Sequence, residues 1–305
     1  MYDLIIVGAG PGGVSAGVYA ARKKIKTLLI TDSFGGQSAV SGDIQNWIGT
    51  KSISGYDLAK GLEEHLRAQK DIAIIDDDLV TGLQKKAGGF ALATRNGKSY
   101  EAKYVLIASG SGRKKLGVPG EKELDGKGVV YCSTCDAPIF DGRTVAVAGG
   151  GNSALESVMD LIPYAAKIYL MVRSEVLKGD PISQDKVRSN PKVEILWNAV
   201  IEEVLGKDKV AGVRYKNAKT GEMKELPLDG VFVEIGLVPN TGFMKGMVKE
   251  DERGHIMVDH RTQASSVPGI WAVGDVTDVL YRQNNISAGD AVKAVLNIYD
   301  NIKKS

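Results

Sequence analysis

The stretch Leu4-Ile5-Ile6-Val7-Gly8-Ala9-Gly10-Pro11-Gly12-Gly13 sets the fold of the chain's first part. Four consecutive apolar residues are typical of a strand buried on both faces of a parallel sheet, and G-x-G-x-x-G follows at once. The alanine-rich segment from Val14 to Arg22 then predicts a helix. In a strand–turn–helix of this kind the glycines let the backbone approach a pyrophosphate, whose charge lies at the helix N-terminus. The stretch therefore predicts a dinucleotide site.

The next predicted strand supports this interpretation. It runs from Lys26 to Ile30 and ends at Thr31-Asp32, which places Asp32 nineteen residues after Gly13. An acid at about this spacing bonds the ribose hydroxyls of a bound dinucleotide. We therefore assign Asp32 to the same predicted site.

The glycine turn recurs with a constant offset of 141 residues. Gly8, Gly10 and Gly13 correspond to Gly149, Gly151 and Ala154, again after an apolar strand. This duplication predicts an α/β fold with two Rossmann-like dinucleotide-binding domains, the second inserted into the first. We place the first domain at residues 1–112 and 242–305, and the inserted domain at 113–241.

The same offset relates Asp32 to Arg173, so an acid in the first domain corresponds to a base in the second. An acid fits a free ribose, whereas Arg173, with Lys178 shortly after it, fits a 2′-phosphate. Val172 and Ser174 supply no further cation beside Arg173. We therefore expect NADPH to be preferred weakly and NADH to be accepted as well.

The only two cysteines of the 305 residues lie in Cys132-Ser133-Thr134-Cys135-Asp136. C-x-x-C followed by an acid favours reversible dithiol–disulfide chemistry, with Asp136 as a candidate proton donor or acceptor. Half of a zinc site and a pair of inert buried thiols are the alternatives. A zinc site needs further clustered ligands, and the three histidines show no ligand spacing, so we predict a redox pair and no metal.

Composition limits the classes of function. The chain has 39 Lys and Arg against 37 Asp and Glu, a formal charge of +2, and is 43% hydrophobic. This balance predicts neither a nucleic-acid partner nor attraction to a membrane. The N-terminus leads directly into the first strand without a basic leader or a long apolar run, so we expect a soluble cytoplasmic protein.

Several glycine-rich or polar segments are candidates for contact with a cofactor. Gly35-Gly36-Gln37 and Gln45-Asn46-Trp47 lie in a segment that we interpret as a loop over a ligand, with a plain solvated loop as the alternative. Small residues around Gly110 follow another apolar strand. Near the C-terminus, Gly274-Asp275 follows a strand and precedes a helix, where an acid can position a ribityl or phosphate group.

Together these motifs resemble, in order and over essentially the whole chain, the low-molecular-weight thioredoxin reductases. The resemblance lies in the glycine turn at 8–13, Gly35-Gly36-Gln37, the cysteine motif at 132–136, Gly149-Gly150-Gly151-Asn152-Ser153-Ala154, and Gly274-Asp275-Val276 with Tyr281-Arg282-Gln283. The chain is also similar to the reductase core of the alkyl hydroperoxide reductase flavoprotein across 184–189 and 232–240. That flavoprotein carries a further N-terminal domain with its own cysteines, which we do not expect here.

The resemblance implies FAD in the first domain, NAD(P)H in the inserted domain, and a homodimer. The implied FAD residues are Gly8, Gly10, Pro11, Gly12, Gly13, Asp32, Gly35, Gly36, Gln37, Asn46, Gly110, Gly274, Asp275, Arg282 and Gln283. The implied NAD(P)H residues are Gly149, Gly151, Asn152, Ser153, Ala154, Arg173 and Lys178. It further implies that Cys135 faces the flavin, that Cys132 attacks the disulfide of a thioredoxin-like or glutaredoxin-like protein, and that Asp136 handles protons.

Four functions follow from these expectations. The first is a disulfide oxidoreductase that passes electrons from NAD(P)H through FAD and the cysteine pair to a thioredoxin-like protein. The others are a ferredoxin-linked flavin disulfide reductase, an NADH-dependent reductase of a peroxiredoxin system, and a non-catalytic flavin redox sensor. The cysteine pair favours the first.

Overall fold

The structure, a computed structural model, describes residues 1–41, 44–244 and 246–304. Its strands are, in chain order, β1 (Tyr2–Ala9), β2 (Thr27–Phe34), β3 (Ile72–Ile75), β4 (Val80–Lys86), β5 (Gly89–Thr94), β6 (Ser99–Ile107), β7 (Ser111–Arg113), β8 (Val129–Val130), β9 (Thr144–Ala148), β10 (Lys167–Val172), β11 (Val193–Trp197), β12 (Ala199–Gly206), β13 (Val210–Asn217), β14 (Met223–Pro227), β15 (Gly230–Val233), β16 (Leu237–Pro239), β17 (Val258–Asp259), β18 (Ala264–Ser265) and β19 (Ile270–Ala272). Its helices are α1 (Pro11–Arg22), α2 (Gly55–Arg67), α3 (Ser133–Asp136), α4 (Asn152–Leu161), α5 (Pro181–Ser189) and α6 (Asn284–Lys304). Short 3₁₀ turns cover Gly36–Val40, Ala137–Phe140, Gly242–Met244 and Gly274–Val276.

The chain divides into two compact units. The first contains Met1–Gly112 and Val238–Ser305, and the second contains Arg113–Leu237. The chain crosses between them within β7 and again within β16. The predicted α/β fold with two Rossmann-like domains, one inserted into the other, is confirmed.

The second crossing lies four residues before the sequence-based boundary at 241. Asn240 belongs to the first unit, because its backbone N–H donates to the Gly110 carbonyl at 3.0 Å and its side-chain amide donates to the Ser109 carbonyl at 2.9 Å. The proline and glycine around it give no sign of these bonds, since their partners lie about 130 residues earlier in the sequence.

The first unit is built on a parallel sheet in the order β3-β2-β1-β6-β19, extended by the antiparallel strands β17 and β18. The side chains of β1 alternate between the two faces of the sheet, as the pleat requires. Leu4 and Ile6 pack with α1 and α6 on one face, whereas Ile5 and Val7 pack against β4 and β5 on the other. Both faces are buried, which explains why the strand is an unbroken apolar run.

The second unit repeats this plan with fewer strands. Five parallel strands follow the order β11-β10-β9-β15-β8, and β12, β13 and β14 form a separate antiparallel sheet. Val145 and Val147 of β9 pack beneath α4, whereas Ala146 and Ala148 face the antiparallel sheet. In the described residues, no helix combines the length and apolar character needed to span a bilayer.

Candidate active site

The first cleft lies where β1 turns into α1. Gly10 precedes the helix in extended conformation and Pro11 occupies its first turn, so the helix begins three residues before the predicted start at Val14. Proline is favoured there because its missing N–H would have no helical partner. Gly8 has a φ of +99°, and a Cβ on it would lie 2.5 Å from the Ala108 carbonyl oxygen. Only glycine therefore allows β1 and β6 to approach this closely.

Most of the residues predicted for the first cofactor line this cleft. They are Gly8, Gly10, Pro11, Gly12, Asp32, Gly36, Gln37, Gly110, Gly274 and Asp275. The remaining predicted residues lie outside the lining. Gly13 and Gly35 pack behind it, since a Cβ on Gly13 would lie 1.9 Å from the Gly8 carbonyl oxygen and one on Gly35 would lie 2.4 Å from the Ala59 side chain.

Asn46, Arg282 and Gln283 also lie outside the lining, although they are near one another. The Asn46 side-chain amide donates to Gln283 Oε1 at 3.1 Å. Arg282 Nη2 donates to His255 Nε2 at 2.6 Å, so the other ring nitrogen, Nδ1, carries the proton and donates to Asp251 at 3.0 Å. The structure therefore places Arg282 in a buried histidine network rather than in the cleft wall.

Ser109 and Ser111, on either side of Gly110, also line the cleft, as the run of small residues there predicts. Other small polar residues of the wall were not predicted from the sequence: Thr31, Ser33, Ser38, Asn240, Asn284 and Ser287. Ser38 Oγ donates to Asn284 Oδ1 at 2.7 Å, across 246 positions of sequence. The start of α6 reaches the cleft because α6 packs along α1, and the Ser15 hydroxyl donates to the Ala288 carbonyl at 3.0 Å. Neither feature has a local sequence signal.

The cleft has the chemistry needed to hold FAD. Its backbone N–H groups at the start of α1 suit a pyrophosphate, and the exposed Asp32 carboxylate at the end of β2 suits ribose hydroxyls. The buried Ser111 hydroxyl finds no hydrogen-bond partner among the described residues, so a polar ligand atom would satisfy it. Around Gly10 the nearest neighbour of an added Cβ would be the Gly36 Cα at 3.9 Å, which leaves the turn open to a ligand.

Asp275 adds a carboxyl group with a raised pKa to the wall of the first cleft. Burial raises the pKa of Asp275, and the positive charge of Arg282 opposes that rise. The two oxygens of a carboxyl group can each accept hydrogen bonds from hydroxyl groups. Asp275 is therefore suited to hold a polyhydroxylated chain such as the ribityl group of FAD.

The second cleft repeats this geometry between β9 and α4. Six of the seven residues predicted for the nicotinamide nucleotide line it: Gly149, Gly151, Asn152, Ser153, Arg173 and Lys178. Ala154 is fully buried behind the turn. The Asn152 side-chain oxygen accepts from the Asp180 backbone N–H at 2.6 Å, which fixes the loop that carries Lys178. Arg173 and Lys178 are both exposed, so their cationic groups are available to a phosphate.

The sequence analysis also missed Lys114, Lys115 and Glu234 in the wall of the second cleft. Glu234 follows β15 and is 6% exposed. Its carboxylate accepts from Arg113 Nη1 at 2.5 Å and from the Ser157 hydroxyl at 3.1 Å. Burial raises the pKa of Glu234 to about 7, although Arg113 and Ser157 act in the opposite direction. The residues on both sides of Glu234 are apolar, so the sequence does not indicate that this acid lines a cleft.

Cys132 and Cys135 form a disulfide, with Cα atoms 5.4 Å apart. Cys132 is half-buried and caps the short helix α3, where the Cys135 backbone N–H donates to its sulfur at 3.2 Å, whereas Cys135 is exposed. Asp136 is half-buried, and burial raises its pKa. Across residues 1–41, 44–244 and 246–304, no group of three or more His, Cys, Asp or Glu is placed to hold a metal ion.

Two curated proteins are similar to this chain in sequence. The alkyl hydroperoxide reductase subunit designated F of Staphylococcus aureus (strain Mu50 / ATCC 700699) is 42% identical over 301 residues, which cover 99% of this chain and 59% of that protein. The Pseudomonas putida protein of the same name is also 42% identical, over 304 residues, and 58% of its length is covered. The chain thus spans 58–59% of the length of these curated relatives.

Solved structures match the chain over its whole length. The thioredoxin reductase of Lactococcus lactis (FR conformation) superposes with a TM-score of 0.93 at 32% identity and covers 100% of both chains. That of T. acidophilum gives 0.89 at 38% identity and covers 99% of both. The resemblance to thioredoxin reductases and to the alkyl hydroperoxide reductase flavoprotein is therefore confirmed.

Residues 2–294 match the pyridine nucleotide-disulphide oxidoreductase family. Such an enzyme needs two dinucleotide sites and a redox disulfide. This chain has a cleft at each of its two glycine turns and one disulfide. The chain belongs to the pyridine nucleotide-disulphide oxidoreductase family.

Proposed function

We propose that this protein is a disulfide oxidoreductase that passes electrons from NAD(P)H through FAD and the Cys132–Cys135 pair to the disulfide of a thioredoxin-like or glutaredoxin-like protein. One observation carries the proposal: the two cysteines form a disulfide in the same unit as the second glycine turn. A nucleotide cleft and a redox pair in one unit suit a path from a nicotinamide to a thiol. The resemblance adds a homodimer to the proposal.

Family membership implies FAD and a nicotinamide nucleotide as cofactors. The first cleft would hold FAD through the turn at Gly8–Gly12, the carboxylates of Asp32 and Asp275, and the Ser111 hydroxyl. When bound, FAD supplies a group that accepts two electrons as hydride and passes them on to a disulfide. The second cleft would hold the nucleotide, with the pyrophosphate at Gly149–Gly151 and a 2′-phosphate at Arg173 and Lys178.

The cysteines carry the exchange with the protein substrate. Reduction breaks the Cys132–Cys135 bond and adds two electrons and two protons, which leaves two thiols. The Cys132 thiolate then attacks one sulfur of the partner's disulfide, and the other sulfur leaves as a thiolate and takes up a proton. Attack by Cys135 on the Cys132 sulfur breaks this mixed disulfide, releases the partner as a dithiol and restores the Cys132–Cys135 bond.

We infer that Asp136 moves protons in these steps. It follows Cys135 directly, and its raised pKa brings it closer to working pH than an exposed aspartate. We assign it the roles of proton donor to the sulfur that leaves and acceptor from the thiol that attacks.

The curated relatives favour a second candidate, the reductase of a peroxiredoxin system that uses NADH. Its support is the 42% identity to the two alkyl hydroperoxide reductase proteins. Both candidates use the same cofactors and the same cysteine pair, so they differ only in the protein that is reduced and in the preferred nucleotide.

The test is turnover with each substrate by the wild type and by Cys135→Ser. We expect the wild type to reduce a thioredoxin disulfide with NADPH, and Cys135→Ser to lose this turnover while its bound FAD is still reduced by nucleotide. Unchanged turnover in Cys135→Ser would remove the pair from the mechanism. Reduction of a peroxiredoxin disulfide but not of thioredoxin would establish the second candidate instead.

A further inference from the structure

Asp160 lies on α4 and contacts both residues that separate the two cysteines. Its Oδ2 accepts from the Ser133 hydroxyl at 2.7 Å and from the Thr134 hydroxyl at 3.2 Å. Ser133 is 7% exposed, so its hydroxyl is held in a largely desolvated place where a charge-assisted hydrogen bond is strong. One carboxylate oxygen therefore holds both Ser133 and Thr134, which begin α3 and which we call the cysteine loop.

Helix α4 connects this contact to the nucleotide cleft. Asn152 and Ser153 in its first turn line the second cleft, and Asp160 in its last turn holds the cysteine loop. The helix thus gives the loop a rigid support that is already fixed by the glycine turn. Two further carboxyl groups belong to these helices: Asp136, directly after Cys135 on α3, and Glu156, one helical turn before Asp160 on α4. Burial raises the pKa of Glu156, and the negative charge of Asp160 adds to that rise.

We propose that Asp160 is a positioning residue that favours the disulfide form of the Cys132–Cys135 pair and so lowers its reduction potential. The inference rests on the pair being the redox centre of the proposed function. Neither the duplicated motifs nor the cysteine motif includes this residue.

Two physical effects act in the same direction. When two electrons and two protons break the S–S bond, the sulfurs must separate, and the hydrogen bonds from Ser133 and Thr134 oppose the loop movement that this requires. The reduced pair also forms a thiolate next to the residues that the Asp160 carboxylate binds, and a like charge disfavours that thiolate. Both effects stabilise the closed disulfide relative to the dithiol.

The test is the redox equilibrium of the purified full-length holoenzyme in dithiothreitol buffers, with free thiols counted by alkylation and mass spectrometry. Asp160→Asn keeps the shape of the side chain but removes its charge. We expect its ratio of dithiol to disulfide to rise about tenfold at a fixed buffer ratio, which is a shift of about +30 mV for a two-electron couple. The rate of thiol alkylation should also reach its plateau at lower pH than in the wild type.

Two further variants separate this role from a general effect on the fold. Ser133→Ala combined with Thr134→Val removes the same contacts from the loop side and should shift the ratio in the same direction. Glu156→Gln is the matched control, because it removes the same charge one helical turn away, and in the described part of the chain no hydrogen bond joins it to Ser133 or Thr134. It should change the ratio less than about twofold, since only the more distant charge is lost.

An unchanged ratio in Asp160→Asn would overturn the proposal, and so would an equal shift in Glu156→Gln. If Asp160→Asn does not fold, the loop double variant decides alone, and its failure to shift the ratio would overturn the proposal. The equilibrium with dithiothreitol needs neither nucleotide nor protein substrate. A protein that fails to turn over thioredoxin can therefore still support the role of Asp160.

Discussion

The two glycine turns follow the same path from strand to helix, but the residues that lie against them differ. In the first unit the first glycine, Gly8, lies against the Ala108 carbonyl. In the second unit Gly149 lies against the Glu234 carbonyl, where a Cβ would come within 2.2 Å of the oxygen. The residue after the neighbouring strand is thus alanine in one unit and a buried acid in the other. The duplicated backbone imposes the glycine, and the side chain beside it is free to diverge.

The third position of the motif differs as well. Gly13 cannot carry a Cβ, because the Gly8 carbonyl oxygen lies only 1.9 Å from where it would be. The equivalent residue of the second unit is Ala154, which is fully buried, and its turn has a φ of +151° at Gly149 against +99° at Gly8. The second turn is therefore arranged to hold a methyl group that the first turn excludes. Two turns of the same type can therefore impose different steric limits.

The largest effect is expected from substitutions that test the steric difference between Gly13 and Ala154. Gly13→Ala places a methyl group against backbone, so we expect it to cost more than about 3 kcal/mol and to abolish retention of FAD. Flavin absorbance of the purified protein and urea denaturation measure the two effects. Ala154→Gly is the matched control and should cost about 1 kcal/mol, because glycine inside a helix is disfavoured by roughly that amount. Equal effects of the two variants would show that the turns are sterically alike.

The next largest effect is expected for the stability contributed by Glu234, whose counterpart in the first unit is Ala108. Its pKa is about 7 in the folded protein, above the ordinary value of 4.5. Between these values the folded chain binds a proton that the unfolded chain has lost, so stability falls as pH rises through this window. Below the window the carboxyl group is neutral in both states and no stability is lost.

Glu234→Gln should remove this dependence. Relative to the wild type, the variant should gain about 2 to 3 kcal/mol in free energy of unfolding between pH 4.5 and pH 8. The attraction between ionised Glu234 and Arg113 is already contained in the folded-state pKa, so comparing urea denaturation at the two pH values measures the whole titration. Parallel stability profiles for the two proteins would show that Glu234 does not titrate in this range.

The smallest effect concerns the residues related by the offset of 141, Asp32 near the end of β2 and Arg173 directly after β10. Arg173 is exposed, so its contact with a 2′-phosphate should contribute at most about 1.4 kcal/mol, or tenfold in affinity. We expect a wild-type preference for NADPH of this order in kcat/KM, and a loss of the preference in Arg173→Ala. A wild-type preference for NADH, or a ratio that Arg173→Ala leaves untouched, would show that Arg173 does not recognise the phosphate.

The duplicated fold can be predicted from the sequence because its determinants are local. Each unit contains an apolar run, a glycine turn and a helix within about twenty residues. The helices α1 and α4 can therefore be predicted without information on distant contacts. The predicted start of α1 lies three residues late because the turn residues Pro11 to Gly13 are themselves helical. A proline in the first turn is the signal that corrects it.

The parts of the site that were missed depend on long-range packing. Ser38 meets Asn284, and Asp160 meets Ser133, only after helices and strands far apart in sequence have packed. Glu234 is an acid at the end of an apolar strand, and nothing in the sequence says that Arg113 will lie beside it. Conversely, Arg282 matches a motif by position, yet its guanidinium bonds to His255 in the structure. A motif fixes the path of the backbone better than the direction of a long side chain.

Electrons from the nucleotide are expected to reach both a flavin and the Cys132–Cys135 disulfide within this chain. Anaerobic titration of purified holoenzyme with NADPH, followed by counting of free thiols, tests it directly. Because each two-electron centre takes one hydride equivalent, we predict uptake of about two equivalents per chain and two new thiols in the wild type, and about one equivalent in Cys135→Ser. Uptake of one equivalent by both proteins, with the wild-type disulfide intact, would contradict the account.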